Sequence, residues 1–423
     1  MKFKAPKGTN DILPARSGLW QQVEHTIRET AALYGYGEIR TPAFESVELF
    51  KRSVGEETDI VNKEMYTFSD RAGRVMALRP EGTAPVVRAY LQHRIGSVAP
   101  ETRLFYLGPM FRYERPQKGR YRQFNQFGVE FLGSEFPEAD VEVISLICTI
   151  YDRLGLSDTH LKLNSVGCPK CRPVYHDSLA AHLNEIAARL CADCASRAVK
   201  NPLRVFDCKN SGCREMLNDA PRIIEALCSG CSTHYHDVKS LLDTLAIPFI
   251  EDAGLVRGLD YYTRTAFEII HGDLGAQDAV GGGGRYDGLV QEFGGPVVPA
   301  VGYAGGMERL IILLSQKIAE FAKDTRAACY IATASPDDWA MVLPVAHALR
   351  QAGIETITDN RRRSMKSQMK TAGKLGVRAV VILGLEECET GTCILRNMIS
   401  KSQQTVRLED LHRLVRTVME DLA

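Results

Sequence analysis

The sequence predicts an α+β protein of two to four domains, on three observations. Its 423 residues exceed what one core usually organises, at about 150 residues per domain. Residues 103–131 read as two strands joined by a polar loop, whereas strand and helix alternate regularly after Lys323-Asp324. Eight of the twelve cysteines fall between Cys168 and Cys231, which sets off a cysteine-rich stretch from the rest.

The first strong element is an amphipathic helix over 17–34, where Leu19, Val23, Ile27, Ala31 and Tyr34 recur at helical spacing. Gly35 and Gly37 end it. A strand-like Glu38-Ile39-Arg40-Thr41-Pro42 follows, and Pro42 confines it to a sheet edge or an interface. The hairpin strands run Leu104 to Glu114 and Phe124 to Leu132. A buried helix is expected at 140–154 and a strand at 161–166. The cysteine-rich stretch carries helical pieces near 176–190 and 235–245. Strand signals resume at 255–270, a glycine-rich turn runs Gly281 to Gly284, and a helix covers 306–321. The last hundred residues give strands at 328–333, 354–358, 378–383, 393–398 and 404–407. Helices at 337–352, 364–376 and 408–421 lie between and after them, a small α/β domain.

Composition narrows the function. Apolar residues make up 45% and charged residues 25%, the profile of a globular protein rather than a disordered or fibrous one. Lys+Arg and Asp+Glu are 52 each, which excludes a uniformly basic nucleic-acid binder but not a local basic patch. No apolar run nears the roughly 18 residues of a membrane span, and the first residues are not of signal-peptide type. The expectation is a soluble cytoplasmic protein. There is no G-x-x-x-x-G-K-[ST], no G-x-G-x-x-G after a strand and no H-E-x-x-H. A nucleotide would be held by side chains rather than by a phosphate loop.

The hairpin is the most informative segment. Six basic residues (Arg103, Arg112, Arg115, Lys118, Arg120, Arg122) face one acid, Glu114. Arg112 and Glu114 share a strand face. On the return strand Gln126, Gly128 and Glu130 share one face, and Phe127, Val129 and Phe131 share a core-like one. An arginine fork suits a phosphate, and Gly128 would let a ligand approach the backbone. A half-solvated amphipathic hairpin would show the same pattern. Glu81 and Thr83, flanking Gly82, could accept an ammonium group, or simply cap a helix. Arg257 to Tyr262 and Gly284 to Gly288 could line a pocket or form surface turns. Arg309 sits in a first helical turn, where the macrodipole disfavours a cation, which hints at an anionic ligand.

The cysteines pair as Cys168/Cys171, Cys191/Cys194, Cys208/Cys213 and Cys228/Cys231. Four pairs would furnish two structural thiolate zinc sites, and buried free thiols would give the same spacing. From Arg361 to Arg378 there are seven basic residues and no acid. Lys366, Lys370 and Lys374 line one helical face, away from Met365 and Met369. Such a stripe suits a phosphate backbone or a solvated surface.

Together these segments resemble the bacterial-type histidyl-tRNA synthetases over nearly the whole chain. Lys7-Gly8-Thr9-Asn10-Asp11-Ile12-Leu13-Pro14 is similar to the family's opening. Pro42 lies in what resembles motif 1 of the class II enzymes, Gly108 to Pro116 resembles motif 2 and Gly305 to Leu310 motif 3. Arg257 to Tyr262 and Gly283 to Gly288 resemble the two histidine-specific motifs.

The resemblance implies a class II fold. A six- or seven-stranded antiparallel sheet with flanking helices would span 1–167 and 245–325. An inserted helical, cysteine-rich domain would span 168–244, and an α/β anticodon-binding domain 326–423. It also implies a homodimer, ATP with Mg²⁺, and two steps, histidyl-adenylate formation and transfer to tRNA-His. Arg112 and Arg257 would hold the α-phosphate and Arg309 the γ-phosphate, with Glu114 on the adenine edge. Glu81, Gly82, Thr83 and Gln126 would meet the histidine ammonium. Glu130 and Tyr262 would read the imidazole, with Tyr261 and Tyr286 completing the pocket. Gln117, Arg120 and the Lys366–Lys370–Lys374 stripe would meet tRNA. Zinc is not implied by the family, many of whose members are cysteine-poor here.

Two other protein classes share parts of this pattern. The regulatory subunit of ATP phosphoribosyltransferase shares the fold but typically lacks the C-terminal domain and has eroded histidine motifs, and this chain keeps both. A zinc-stabilised nucleic-acid-binding protein would not need Glu81, Glu130 or Arg257.

Overall fold

A computed structural model describes residues 3–55, 58, 60–117, 119–200, 202–208, 210–256, 261–315 and 329–420. Arg257 lies outside these. The chain forms two compact units, Met1–Phe321 and Ala322–Ala423. The strands of the first are β1 (Gly37–Glu38), β2 (Phe44–Ser46), β3 (Thr67–Ser69), β4 (Val75–Leu78), β5 (Thr102–Phe111), β6 (Gln123–Leu132), β7 (Thr159–Ser165), β8 (Phe249–Glu251), β9 (Thr263–His271), β10 (Ala279–Arg285) and β11 (Ala300–Gly306). Those of the second are β12 (Cys329–Thr333), β13 (Thr356–Thr358), β14 (Ala379–Leu383), β15 (Thr392–Asn397) and β16 (Gln403–Arg407).

The main sheet has eight strands in the order β1-β5-β6-β11-β10-β9-β7-β8, where six or seven antiparallel ones were expected. The surplus lies at the edges. Two- and three-residue strands, β1 and β8, pair in parallel with β5 and β7, and every other pair is antiparallel. A parallel pair needs a long crossover. Between β7 and β8 that crossover is the cysteine-rich segment itself.

Alternation along β6 decides which side is which. Phe127, Val129 and Phe131 join one core with Trp20, Val23 and Ile27 of helix Pro14–Leu33 and Val143, Ile147 and Ile150 of helix Pro137–Arg153. The opposite face carries Gln126, Gly128 and Glu130. The sheet is thus roofed by helices on one side and left to a cavity on the other.

Two expectations about local structure are corrected. Gly281 to Gly284 form no turn. They are the middle of β10, paired with β9 and β11. Glycine is needed because neighbours crowd the strand: a Cβ on Gly283 would stand 2.1 Å from the Gly302 carbonyl oxygen. Strand β5 ends at Phe111, short of Glu114. The Tyr113 N–H turns to the Glu64 carbonyl (2.7 Å) and the Glu114 N–H to the Arg112 carbonyl (2.9 Å), which breaks the ladder. Arg112 and Glu114 are therefore neighbours through a bend, not through a shared strand face.

The crossover folds around a small core of Tyr175, Leu179, Leu183, Val205, Leu217 and Ile223 together with its cysteines. Its last helix, Ser229–Thr244, returns to the main core through Tyr235, Val238 and Leu242. A separate three-stranded sheet, β2-β4-β3, leaves Phe44, Phe68 and Val75 exposed.

The second unit has a five-stranded sheet in the order β13-β12-β14-β15-β16, with the first three strands parallel and the last two antiparallel to their neighbours. Helix Met365–Leu375 buries Gln368 and Ala372, with Met365 and Met369 partly buried beside them. Lys366, Lys370 and Lys374 are all exposed, as their spacing predicts. No helix among the described residues is long and apolar enough to cross a membrane.

Candidate active site

A cavity of about 290 Å³ opens on the free face of the main sheet. Its floor is stripped of side chains: Gly281, Gly282, Gly302 and Gly306 with Ala279 and Ala304 line it. The walls separate into two ends. Arg112, Arg120 and Arg309 lie with Glu114, Glu268 and Glu308, while Tyr261, Tyr262 and Tyr286 lie with Glu81, Thr83 and Gln126.

At the arginine end, Arg112 follows the end of β5 and is fixed by an Nε bond to the Pro80 carbonyl (2.8 Å). Its guanidinium lies 5.5 Å from the Phe124 ring centre. The loop beyond folds back on itself through a Gln117–Arg120 bridge, with Gly119 at φ +77° making the reversal. Arg120 thereby comes to line the cavity, 3.1 Å from Glu114, while Gln117 stays exposed at the tip. Arg309 does occupy the first turn of helix Met307–Leu314 and donates to the Ala279 carbonyl. Burial, and then the nearby Arg120 charge, lower its pKa.

Two carboxylates here escaped the sequence reading. Glu308 accepts from the Asn125 backbone N–H (2.8 Å) and side-chain amide (3.1 Å), and burial raises its pKa. It was hidden because an acid in a first helical turn needs no special explanation. Glu268 lines the cavity from β9. A lone carboxylate between Phe267 and Ile269 was the available signal.

At the tyrosine end, Glu81 accepts the N–H groups of Thr83 (2.7 Å) and Ala84 (2.9 Å), so from the position before the N-cap, Gly82, it satisfies the first donors of helix Thr83–Gln92 while lining the cavity. Burial raises its pKa. Gly82 packs against Tyr106, whose ring would lie 2.2 Å from a Cβ there. Gly128 is covered in the same way, at 2.3 Å from Tyr106, so that ring and not a ligand fills the space beside it. Gln126 is buried in the cavity wall and its Oε1 has no hydrogen-bond partner, an orphan acceptor of the kind that calls for an explanation.

Glu130 stands one layer behind the wall. It is fully buried, and its two oxygens accept from the hydroxyls of Thr83 (2.7 Å) and Tyr286. Burial outweighs those bonds and pushes its pKa up to about 8. The three tyrosines pack as a cluster, Tyr261 lying 4.8 Å from Tyr262 and 5.6 Å from Tyr286 between ring centres.

The eight cysteines gather into two quartets. Cys168, Cys171, Cys228 and Cys231 form one, and Cys191, Cys194, Cys208 and Cys213 the other, each with its sulfurs within 4.8 Å of one another. One quartet is thus nested inside the other along the chain. All eight are free thiols. The N–H groups of Cys171 and Lys170 overcome burial to draw Cys168 down to about 6, and the N–H of Cys194 draws Cys191 to about 7. Burial pushes Cys194 and Cys231 up. Four sulfurs this close could hold a metal ion between them.

A family model described as histidyl-tRNA synthetase matches residues 8–310, and one described as an anticodon binding domain matches 328–417. The chain is 52% identical over 412 residues to the histidine–tRNA ligase of Desulforudis audaxviator, covering 97% of this chain and 98% of that one. It is 49% identical over 406 residues to the histidine–tRNA ligase of Desulforamulus reducens, covering 96% and 97%. The crystal structure of the apo histidyl-tRNA synthetase of S. aureus superposes with a TM-score of 0.82 at 37% identity, covering 98% of this chain and 100% of that one. The two-ended cavity, the sheet beneath it and these full-length matches agree: the chain belongs to the histidyl-tRNA synthetase family.

Proposed function

We propose how the residues of this cavity divide the work of a histidine–tRNA ligase, the activity that family membership gives the chain. The observation that carries the reading is the division of one cavity into an arginine-bearing end and a tyrosine–carboxylate end. A triphosphate needs the first and an amino acid the second.

Histidine enters with its ammonium toward Glu81, Thr83 and the orphan Oε1 of Gln126. Its imidazole lies among Tyr261, Tyr262 and Tyr286. Glu130 acts from behind: when ionised, it accepts hydrogen bonds from the Thr83 and Tyr286 hydroxyls and so turns their lone pairs toward the substrate. A ligand lacking the N–H groups would leave those acceptors unpaired, which gives strong discrimination. ATP lies with its triphosphate among Arg112, Arg309 and Arg257, and its adenine near Glu114. Glu268 and Glu308 are carboxylate oxygens of the kind that Mg²⁺ accompanying the triphosphate takes as ligands.

In the first step a histidine carboxylate oxygen attacks the α-phosphorus. A new P–O bond forms, the bond to the β-phosphate bridge breaks, and pyrophosphate leaves with the electron pair. Arg112 and Arg257 stabilise the charge that builds on the α-phosphoryl oxygens. In the second step a hydroxyl of the 3′-terminal ribose attacks the adenylate carbonyl carbon. AMP departs, its phosphate taking up the charge, and the hydroxyl proton passes to that phosphate. Gln117, Arg120 and the Lys366–Lys370–Lys374 stripe are the tRNA contacts in this reading.

The exposed rings of Phe44 and Phe68, 6.1 Å apart on one face of the small sheet and close in the chain to Pro42, fit a homodimer surface. Zinc is the structural metal of segment 168–244, and the catalytic domain comprises 1–167 with 245–325, followed by the anticodon-binding domain from 326. Cytoplasmic localisation follows from the substrates. The anticodon-domain match at 328–417 weighs against the regulatory-subunit alternative.

The test is amino-acid-dependent ATP–pyrophosphate exchange with all twenty amino acids and Mg²⁺. Exchange with histidine alone is expected. Folded protein that exchanges with none of them would overturn the reading.

A further inference from the structure

The two cysteine quartets differ in what they touch, and the difference is functional. We propose that the outer quartet, Cys168, Cys171, Cys228 and Cys231, is a zinc clamp that positions the tyrosine wall of the histidine pocket, while the inner quartet binds a second zinc that serves only the fold of the inserted segment. The proposal deepens the histidine-binding reading above and rests on it.

The sulfur spacing fits a metal. A tetrahedral thiolate site with Zn–S bonds of about 2.3 Å has sulfur–sulfur edges of about 3.8 Å. The outer quartet shows Cys168–Cys171 at 3.6 Å and Cys168–Cys228 at 3.8 Å, and the inner shows Cys191–Cys208 at 3.9 Å. A disulfide would require about 2.05 Å. Four sulfurs at each site leave no open position, so the role is structural.

Contacts lead away from the outer quartet on two sides. Two routes run to the tyrosine cluster. On one, Gly167 precedes Cys168 and its carbonyl accepts the Arg264 N–H (2.8 Å), two residues past Tyr262. Gly167 has no slack, since a Cβ there would stand 2.8 Å from the Cys171 Cβ. Arg172, next to Cys171, donates to the carbonyls of Tyr262 and Val166. On the other route, Cys228 caps helix Ser229–Thr244 and Cys231 lies in its first turn. His234, one turn on, lies 3.4 Å from Asp140, and Asp140 lies 2.8 Å from the wholly buried Arg285. Arg285 immediately precedes Tyr286. The quartet thus ties down the chain at both Tyr262 and Tyr286.

The inner quartet has no such routes among the described residues. Its hydrogen bonds close on its own segment: the Cys191 N–H to the Cys213 sulfur (3.3 Å), Arg214 to the Cys208 carbonyl (2.9 Å), and Asn210 capping the helix that holds Cys213.

The experiment measures zinc per chain by elemental analysis and the KM for histidine and ATP in pyrophosphate exchange, on the full-length protein. The parent should carry two zinc ions. A Cys168→Ser/Cys228→Ser variant should carry one, with the histidine KM raised roughly tenfold or more and the ATP KM within about twofold, the signature of a displaced amino-acid wall. A Cys194→Ser/Cys213→Ser variant should also carry one, with the histidine KM unchanged. Because losing a quartet can unfold the segment, Arg172→Ala is the decisive variant. It keeps all eight thiols and should keep both metals, yet still raise the histidine KM. A parent without metal, or an Arg172→Ala variant with two zinc ions and an unchanged histidine KM, overturns the clamp. A parent that exchanges with no amino acid would instead overturn the synthetase reading, whatever its zinc content.

Discussion

The cavity and the lysine stripe both put basic residues where phosphates are expected, yet they do it in opposite media. In the cavity, Arg112 and Arg309 are partly buried and each is tied to a backbone carbonyl, so their positions are set before a ligand arrives. On helix Met365–Leu375 the lysines project into water from the face opposite Gln368 and Ala372. A preorganised charge in a water-poor site acts strongly on a transition state. An exposed charge is screened over about 8–10 Å at physiological salt and acts weakly. The comparison teaches that a single substitution should be decisive in the first region and incremental in the second.

Arg112→Ala breaks the comparison most sharply. It should lower the rate of histidyl-adenylate formation by roughly 10²–10³-fold, the usual loss on removing one preorganised donor to developing charge. Single-turnover pyrophosphate release measures it, and a loss under about tenfold would remove Arg112 from the chemistry. Next comes the support behind the cavity. Arg285 is wholly buried and bonds to Asp140 (2.8 Å), Asp287 (2.9 Å) and the carbonyls of Ser134 and Phe136 (both 2.9 Å). Burial alone would raise the Asp140 pKa, but Arg285 and then His234 hold it below the usual carboxylate range. Arg285→Met strands that carboxylate and should destabilise the first unit by about 3–5 kcal/mol. Denaturant titration followed by tyrosine fluorescence tests it.

Glu130 gives a smaller effect with a definite sign. Its folded pKa of about 8 lies above the unfolded value near 4.3. Between those values the folded state holds a proton that the unfolded state has released, so stability falls as pH rises and levels off above about 8. Glu130→Gln removes that slope. The variant should therefore gain on the parent as pH rises from about 5 to about 8, in urea midpoints compared across that range. Parallel curves would place the titrating group elsewhere.

Much of this was legible in the sequence, and the failures have physical causes. Alternation along β6 separated Gln126 and Glu130 from Phe127 and Phe131 because a pleated strand leaves no third choice. Spacing alone identified the four cysteine pairs. It could not say which pairs join, since that depends on where helix Ser229–Thr244 returns. The glycine run read as a turn because glycine's freedom is the commoner reason for it, whereas here the crowding of Gly302 and Phe267 is the reason. Gly128 misled in the same way, with Tyr106 arriving from a neighbouring strand. Short edge strands such as Phe249–Glu251 carry too few residues to show a period.

The smallest expected effect belongs to the stripe, and it sharpens the comparison most finely. If Lys366, Lys370 and Lys374 track a phosphate backbone, each substitution by alanine should raise the KM for tRNA by about threefold at low salt and lower the salt slope by about one. The three should be nearly additive, because exposed side chains that share no partner act independently. None should change histidine-dependent pyrophosphate exchange, which takes place without tRNA. The contrast with Arg112→Ala is then complete: one variant loses the chemical step and keeps tRNA affinity, and the other keeps the chemistry and loses affinity in salt-sensitive steps. A triple variant whose tRNA KM is unchanged at low salt would show that the stripe is only a solvated face, and that the anticodon is read from another side of the second unit.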